Sequence, residues 1–287
     1  MKKLLAALCF MSIATGISVY GQAIQNYAPK VAISQNEKTP NSKWQGKLVA
    51  YLGDSMTQKP GKPGTNTIYW EYLTELLGIE PLVYGISGNQ WDGIYKQALK
   101  LYKEKGTSVD AIMIFAGTND YMHSTPLGSF YAETTKETNY NGNIVTRKYR
   151  TVIENDSTFC GRINKVMAYL KANFPDQQII IMTPIHRAFA TFSEKNIQPE
   201  ENFANGLGLY LDSYVEVLRQ AASNWSVPLI DLYSLSGLYP LSDAQAKYFN
   251  DSVTDRLHLN ATGNYRLAKT IQYQLLGLPS TFVLQGK

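Results

Sequence analysis

Lys47-Leu-Val-Ala-Tyr-Leu-Gly-Asp-Ser-Met-Thr57 sets a short run of apolar, β-forming residues directly against a glycine, a carboxylate and a hydroxyl. The run, Lys47–Leu52, is the length of a strand, and the turn residues after it end the strand abruptly. Working outward, the same rhythm repeats. Thr67 to Leu77 carries Ile68, Tyr69, Tyr72, Leu73, Leu76 and Leu77 at helical spacing. Pro81–Tyr84 reads as a second strand, Trp91–Lys105 as a helix, and Val109–Phe115 as a third, almost wholly apolar strand. Cys160–Asn173 is helical, Gln178–Met182 is a strand stopped by Pro184, Gly208–Asn224 is helical, Pro228–Leu232 is a fifth strand, and Asn260–Leu276 is a last helix capped near Asn260 or Thr262. Strands apolar on both faces, alternating with helices of a dozen residues, predict an α/β fold with a parallel sheet covered on both sides. Such sheets place their sites beyond the carboxyl ends of the strands.

One stretch breaks the rhythm. Residues 121–156 are rich in Thr, Asn, Tyr and Lys, and Asn141-Gly142 is a hairpin signal, so an insertion bearing a β-hairpin is expected there. Residues 24–46 are polar, with Pro29 and Pro40, and read as an extended lead-in. Residues 1–23 have the layout of a secretory signal peptide: Lys2-Lys3, an uncharged apolar run from Leu4 to Ala14, then small residues including Gly21 and Ala23. That run is shorter than the roughly 20 residues a membrane span needs. A cleaved signal would put the protein in the periplasm or outside the cell and leave Cys160 as the only cysteine, so no intrachain disulfide is expected. The domain proper then spans 47–276, with 277–287 as a tail. The 287 residues carry a net charge of +4, which falls to +2 without Lys2 and Lys3. No Lys/Arg cluster tracks a phosphate backbone, and no nucleic-acid partner is expected.

The residues after the strands belong together chemically. They are Gly53-Asp54-Ser55, then Gly85-Ile86-Ser87-Gly88-Asn89, then Gly117-Thr118-Asn119-Asp120, and finally Asp255-Arg256-Leu257-His258. A serine hydroxyl needs a base to become a nucleophile, and His258 is the candidate. A histidine base needs a carboxylate to fix its tautomer; Asp255, three residues earlier, reaches the same side if the segment forms a single turn. The oxyanion of a tetrahedral intermediate needs donors. The backbone N–H groups of Ser55 and Gly88 and the Asn119 side-chain amide are the candidates.

These four blocks, in this order, resemble the SGNH hydrolases, the GDSL-type esterases and lipases, from about Lys47 to Leu276. The resemblance implies Ser55 as nucleophile, a three-layer flavodoxin-like sheet of five parallel strands in the order 2-1-3-4-5, and no metal or other cofactor. Leu259 stands where many members have Pro. Around the blocks, Asp54 and Asp120 are read as loop-supporting carboxylates. His186, Arg187 and His123 are candidate substrate contacts, and Trp91, just past Gly88, is the aromatic expected to border the site. No Gly-x-Ser-x-Gly elbow and no His-Glu-x-x-His occurs. The expected activity is hydrolysis of a carboxylic ester, with an acetylated carbohydrate as first substrate class. A lysophospholipid, another long-chain ester or a thioester is the alternative, and a non-catalytic carbohydrate-binding protein is the reading from outside enzymology.

Overall fold

A computed structural model describes residues 28–61, 66–279 and 282. The expected signal peptide lies outside the described residues, as does most of the tail. The elements run β1 (Leu48–Gly53), α1 (Tyr69–Leu77), β2 (Glu80–Val83), α2 (Trp91–Lys105), β3 (Ala111–Phe115), α3 (Thr118–Met122), β4 (Tyr131–Tyr140), β5 (Asn143–Val152), α4 (Phe159–Asn173), β6 (Gln178–Met182), β7 (Ala190–Ser193), β8 (Asn196–Gln198), α5 (Leu211–Asn224), β9 (Leu229–Ile230), α6 (Leu232–Leu235), β10 (Phe249–Asp251), β11 (Asp255–Leu259) and α7 (Ala261–Gly277).

Five parallel strands form the central sheet in the order β2-β1-β3-β6-β9. Counted along the parallel strands alone, this is 2-1-3-4-5. Alternate side chains feed two cores, as the pleat requires. Ala50, Leu52, Ile112, Ile114, Ile179 and Ile181 join the core under α2, α4 and α5. Val49, Tyr51, Met113, Phe115, Ile180 and Met182 join the core under α1 and α7. The register pairs Gly53 with Phe115 and Phe115 with Met182, so three strands end side by side and release their loops at one edge.

The lead-in differs from its expected extended form. Trp44 is buried and donates its indole N–H to Leu275 O, and Val31 and Ile33 pack on the α1/α7 core. These apolar residues are too few to make a periodic pattern, yet Val31, Ile33 and Trp44 all dock. The fifth strand is shorter than expected, because Asp231 caps a helical turn by accepting from Ser234 N and so ends β9 at Ile230. A second sheet, β10-β11-β7-β8, has no counterpart in the sequence reading. Its strands are three to five residues long and carry Asn, Asp, Ser and Thr, so no apolar run marks them. Within the insertion, β4 and β5 pair over ten residues each, from Tyr131↔Val152 to Tyr140↔Asn143. Asn141 and Gly142 both adopt positive φ, the requirement of a two-residue type I′ turn. Among the described residues, no helix is long and apolar enough to cross a membrane.

Candidate active site

The loop after β1 is a tight turn built by Asp54. Its carbonyl accepts from Thr57 N and Gln58 N, and its buried carboxylate accepts from Met56 N at 2.9 Å. Burial pushes the Asp54 carboxyl up to about 6, against the Met56 N–H and the nearby charges of His258 and Arg187. The strand end itself is clamped to α2. Gln97, fully packed, accepts from Gly53 N at 2.9 Å and donates to Gly53 O at 2.8 Å. Ser55 therefore sits on a backbone fixed from both sides.

His258 reaches it from the second sheet. Its Nε2 lies 2.8 Å from Ser55 Oγ and its Nδ1 lies 3.0 Å from Asp255 Oδ2. Asp255 also accepts from the backbone N–H of Leu257 and His258 and from Asn250 Nδ2. Burial would raise the Asp255 carboxyl, but the His258 ring and these N–H groups outweigh it and hold it below its ordinary value. An ionised Asp255 has no proton to give, so His258 Nδ1 donates to it and Nε2 is the ring nitrogen that faces the Ser55 hydroxyl.

The single turn expected for Asp255 and His258 is not what brings them together. They lie on β11, where residues three apart ordinarily face opposite ways. The pairing of β10 with β11 shifts register between Phe249↔Leu259 and Asp251↔Asp255, and the Asp255 carboxylate folds back along its own strand, accepting the Leu257 and His258 N–H groups and meeting the His258 ring.

Gly88 has φ +75°, a backbone state that favours glycine, and a side chain added there would meet nothing within 4 Å. Conformation rather than crowding therefore selects glycine. Among the described residues, neither Gly88 N–H nor Ser55 N–H has an acceptor. Asn119 opens α3, and its Nδ2 donates to Asn89 O at 3.1 Å and, at a longer 3.3 Å, to Asp54 Oδ2. Asp120 is buried and accepts from Trp91 N and Arg162 Nη1, tying α2 to α3 and α4. Asp54 and Asp120 thus hold backbone, as their positions suggested.

None of the four expected substrate contacts lines the cavity at Ser55. Trp91 is 0% exposed and packs edge-on against Phe159. Its place at the first turn of α2 points it into the core. Arg187 is also 0% exposed, bonded to Thr118 Oγ1 and Gln198 Oε1 and lying over the Tyr121 ring. Burial lowers its guanidinium to about 10. His186 is held by Glu201 and stacked on Tyr233, away from the residues that line the Ser55 cavity. His123 is exposed at the end of α3, with Nδ1 against Asn119 O, and does not line that cavity either. Trp91→Ala removes a core ring, so its expected effect is a loss of about 3–5 kcal/mol of stability, read as a fall in the urea midpoint.

The cavity at Ser55 has a volume of about 390 Å³, and its walls include Gln58, Lys59, Asn66, Ser87, Asn250 and Phe192. Phe192, on β7 and 45% exposed, stands 5.5 Å from the His258 ring and takes the bordering place expected of Trp91. A larger groove of about 860 Å³ passes Gly88 and shares Gln58 and Lys59 with the cavity. Phe192 escaped the sequence reading because its strand is too short to show a period; Gln58, three residues past Ser55, was within reach of a strand-end search. Among the described residues, no cluster of three His, Cys, Asp or Glu side chains is disposed to hold a metal ion.

The family model of the GDSL-like Lipase/Acylhydrolase family matches residues 51–266, a range that holds Ser55, Gly88, Asn119, Asp255 and His258. The chain belongs to this family. Solved structures share its fold. A protein from Lactobacillus plantarum is 26% identical with a TM-score of 0.60, covering 80% of this chain and 97% of that one. One described as a possible lipase from Chitinophaga pinensis is 18% identical with a TM-score of 0.58, covering 81% and 100%. A member of the lipolytic protein G-D-S-L family from Veillonella parvula is 16% identical with a TM-score of 0.50, covering 80% and 99%. No curated protein matches the chain. As a GDSL-like acylhydrolase it carries its hydrolase fold on the central sheet, and the hairpin β4–β5 extends from that fold.

Proposed function

We propose that this GDSL-family hydrolase is an exported serine esterase that removes a small acyl group, such as acetyl, from a carbohydrate. Ser55 Oγ attacks the ester carbonyl while His258 Nε2 takes its proton, and Asp255 stabilises the imidazolium that forms. The carbonyl oxygen, now negative, is received by the N–H groups of Ser55 and Gly88 and by Asn119 Nδ2, which gives up its long contact with Asp54. His258 returns the proton to the departing alcohol. Water then attacks the acyl-enzyme, with His258 again as base, and frees the acid and Ser55.

The observation that carries this reading is the relay from Ser55 Oγ through His258 to Asp255, with links of 2.8 and 3.0 Å. Polar walls at the cavity support a short acyl group over a long apolar one. The adjoining groove, walled in part by Tyr84, Asp92, Lys96 and Gln97, gives a polar, hydroxylated alcohol room beside Gly88. Lys2-Lys3 ahead of the apolar run supports export.

The test is a series of p-nitrophenyl esters with acyl chains of increasing length. The expected kcat/KM is highest for acetate and falls steeply beyond butyrate, and acetate is released from acetylated polysaccharide. An optimum at long chains overturns the carbohydrate reading in favour of a lipid ester. Absence of fluorophosphonate labelling at Ser55 overturns the enzyme reading itself. Asp255→Asn is expected to cut turnover on the order of 10⁴-fold, because a neutral amide no longer enforces the tautomer that leaves Nε2 free to accept.

A further inference from the structure

The hairpin β4–β5 presents two different faces. On one, Glu133 stands opposite Arg150 and pairs with Lys148 at 2.7 Å, so opposite charges answer each other. On the other, Lys136 stands directly opposite Arg147. Directly opposed like charges weaken a strand pair. None of the ten residues of this second face is acidic, and among the described residues neither Lys136 nor Arg147 forms an ion pair. Lys136 lies over the Tyr149 ring at 4.7 Å and Arg147 over the Tyr140 ring at 5.7 Å. The tyrosines hold the cations on the ribbon without neutralising them. Tyr140 and Tyr149 are themselves exposed, as are Thr134, opposite Tyr149, and Thr138, between the two cations and Tyr140. An isolated two-stranded ribbon is marginal in water, and a bound partner stabilises it.

We propose that this face of the hairpin binds an anionic polysaccharide, one bearing carboxylates or sulfates. Two unneutralised cations side by side fit the charge of such a chain. The flanking threonine hydroxyls fit its own hydroxyls, and the tyrosine rings fit the apolar faces of its sugars. The inference goes beyond the esterase reading, since binding is measured without turnover.

The test uses the full chain and gel retardation in polygalacturonate or heparin, alongside neutral xylan. Wild type is retarded by the acidic polymers, and the retardation weakens as salt rises above about 50 mM, the mark of a charge-driven contact. Lys136→Glu/Arg147→Glu weakens it about tenfold or more. Lys148→Glu/Arg150→Glu changes net charge by the same amount on the opposite face and weakens it much less. Equal weakening by the two double variants shows a net-charge effect and overturns the proposal. No retardation of wild type overturns it, and so does tighter binding of single-stranded DNA than of either glycan. Esterase assays on the same wild-type sample report separately on the proposed function, so failure of one reading is not mistaken for failure of the other.

Discussion

Ser55→Ala is expected to lower turnover of p-nitrophenyl acetate on the order of 10⁵-fold while leaving the urea midpoint within experimental scatter of wild type. The two halves of this expectation have separate causes. Ser55 is half-buried, and among the described residues its hydroxyl is bonded to His258 alone, so truncation opens no core cavity and strands no deeply buried donor. The turn that carries it is held by Asp54 and Gln97, neither of which touches the lost oxygen. The rate loses the nucleophile outright. His258→Ala is expected to cost a similar factor, and the double variant Ser55→Ala/His258→Ala no more than either alone, because a base without its nucleophile contributes nothing. Single-turnover kinetics with enzyme in excess separate this outcome from contamination by a host esterase. Substantial activity in Ser55→Ala would overturn the mechanism.

The five residues of the relay and the oxyanion donors were readable because a parallel sheet funnels chemistry to its carboxyl edge. Each of Ser55, Gly88 and Asn119 follows an apolar run long enough to identify as a strand. The side chains around them were not readable in the same way. Trp91 and Arg187 sit beside the blocks in sequence, and sequence proximity made them candidates for the cavity. Burial decided otherwise, since the first turn of α2 points inward and Arg187 finds neutral partners inside. Gln97 shows the converse. It lies 44 residues from the strand end it clamps, and a lone glutamine in an amphipathic helix gives no hint of that contact. The small second sheet was hidden for a third reason. Pairing of strands this short is a tertiary effect, with no local propensity to announce it.

Arg162→Ala is expected to cost as much stability as Trp91→Ala, but only at alkaline pH. Asp120 is fully buried, with a carboxylate oxygen 2.9 Å from Arg162 Nη1 and the Trp91 N–H at 3.1 Å. Burial pushes its carboxyl up to about 7, against the pull of the guanidinium. A carboxyl with a raised pKa in the folded state binds its proton there before it does in the unfolded chain. Its contribution to stability is therefore complete below the unfolded value near 4 and is lost as pH rises through about 7. Removing Arg162 takes away the guanidinium charge that makes ionised Asp120 tolerable. Near pH 8 the expected loss is about 3–5 kcal/mol, the cost of an unpaired buried charge, out of a total stability of roughly 5–15 kcal/mol. Near pH 5 the carboxyl is neutralised by a proton, and the remaining loss is about 1–2 kcal/mol from the bonds Arg162 makes to Gln90, Thr125 and the Asp156 carbonyl. Urea denaturation of wild type and Arg162→Ala at both pH values checks this. The gap must widen with pH, and Asp120→Asn in the Arg162→Ala background must close most of the widening. A gap of equal size at both pH values would mean that Arg162 acts through packing and neutral hydrogen bonds, not through its charge on Asp120.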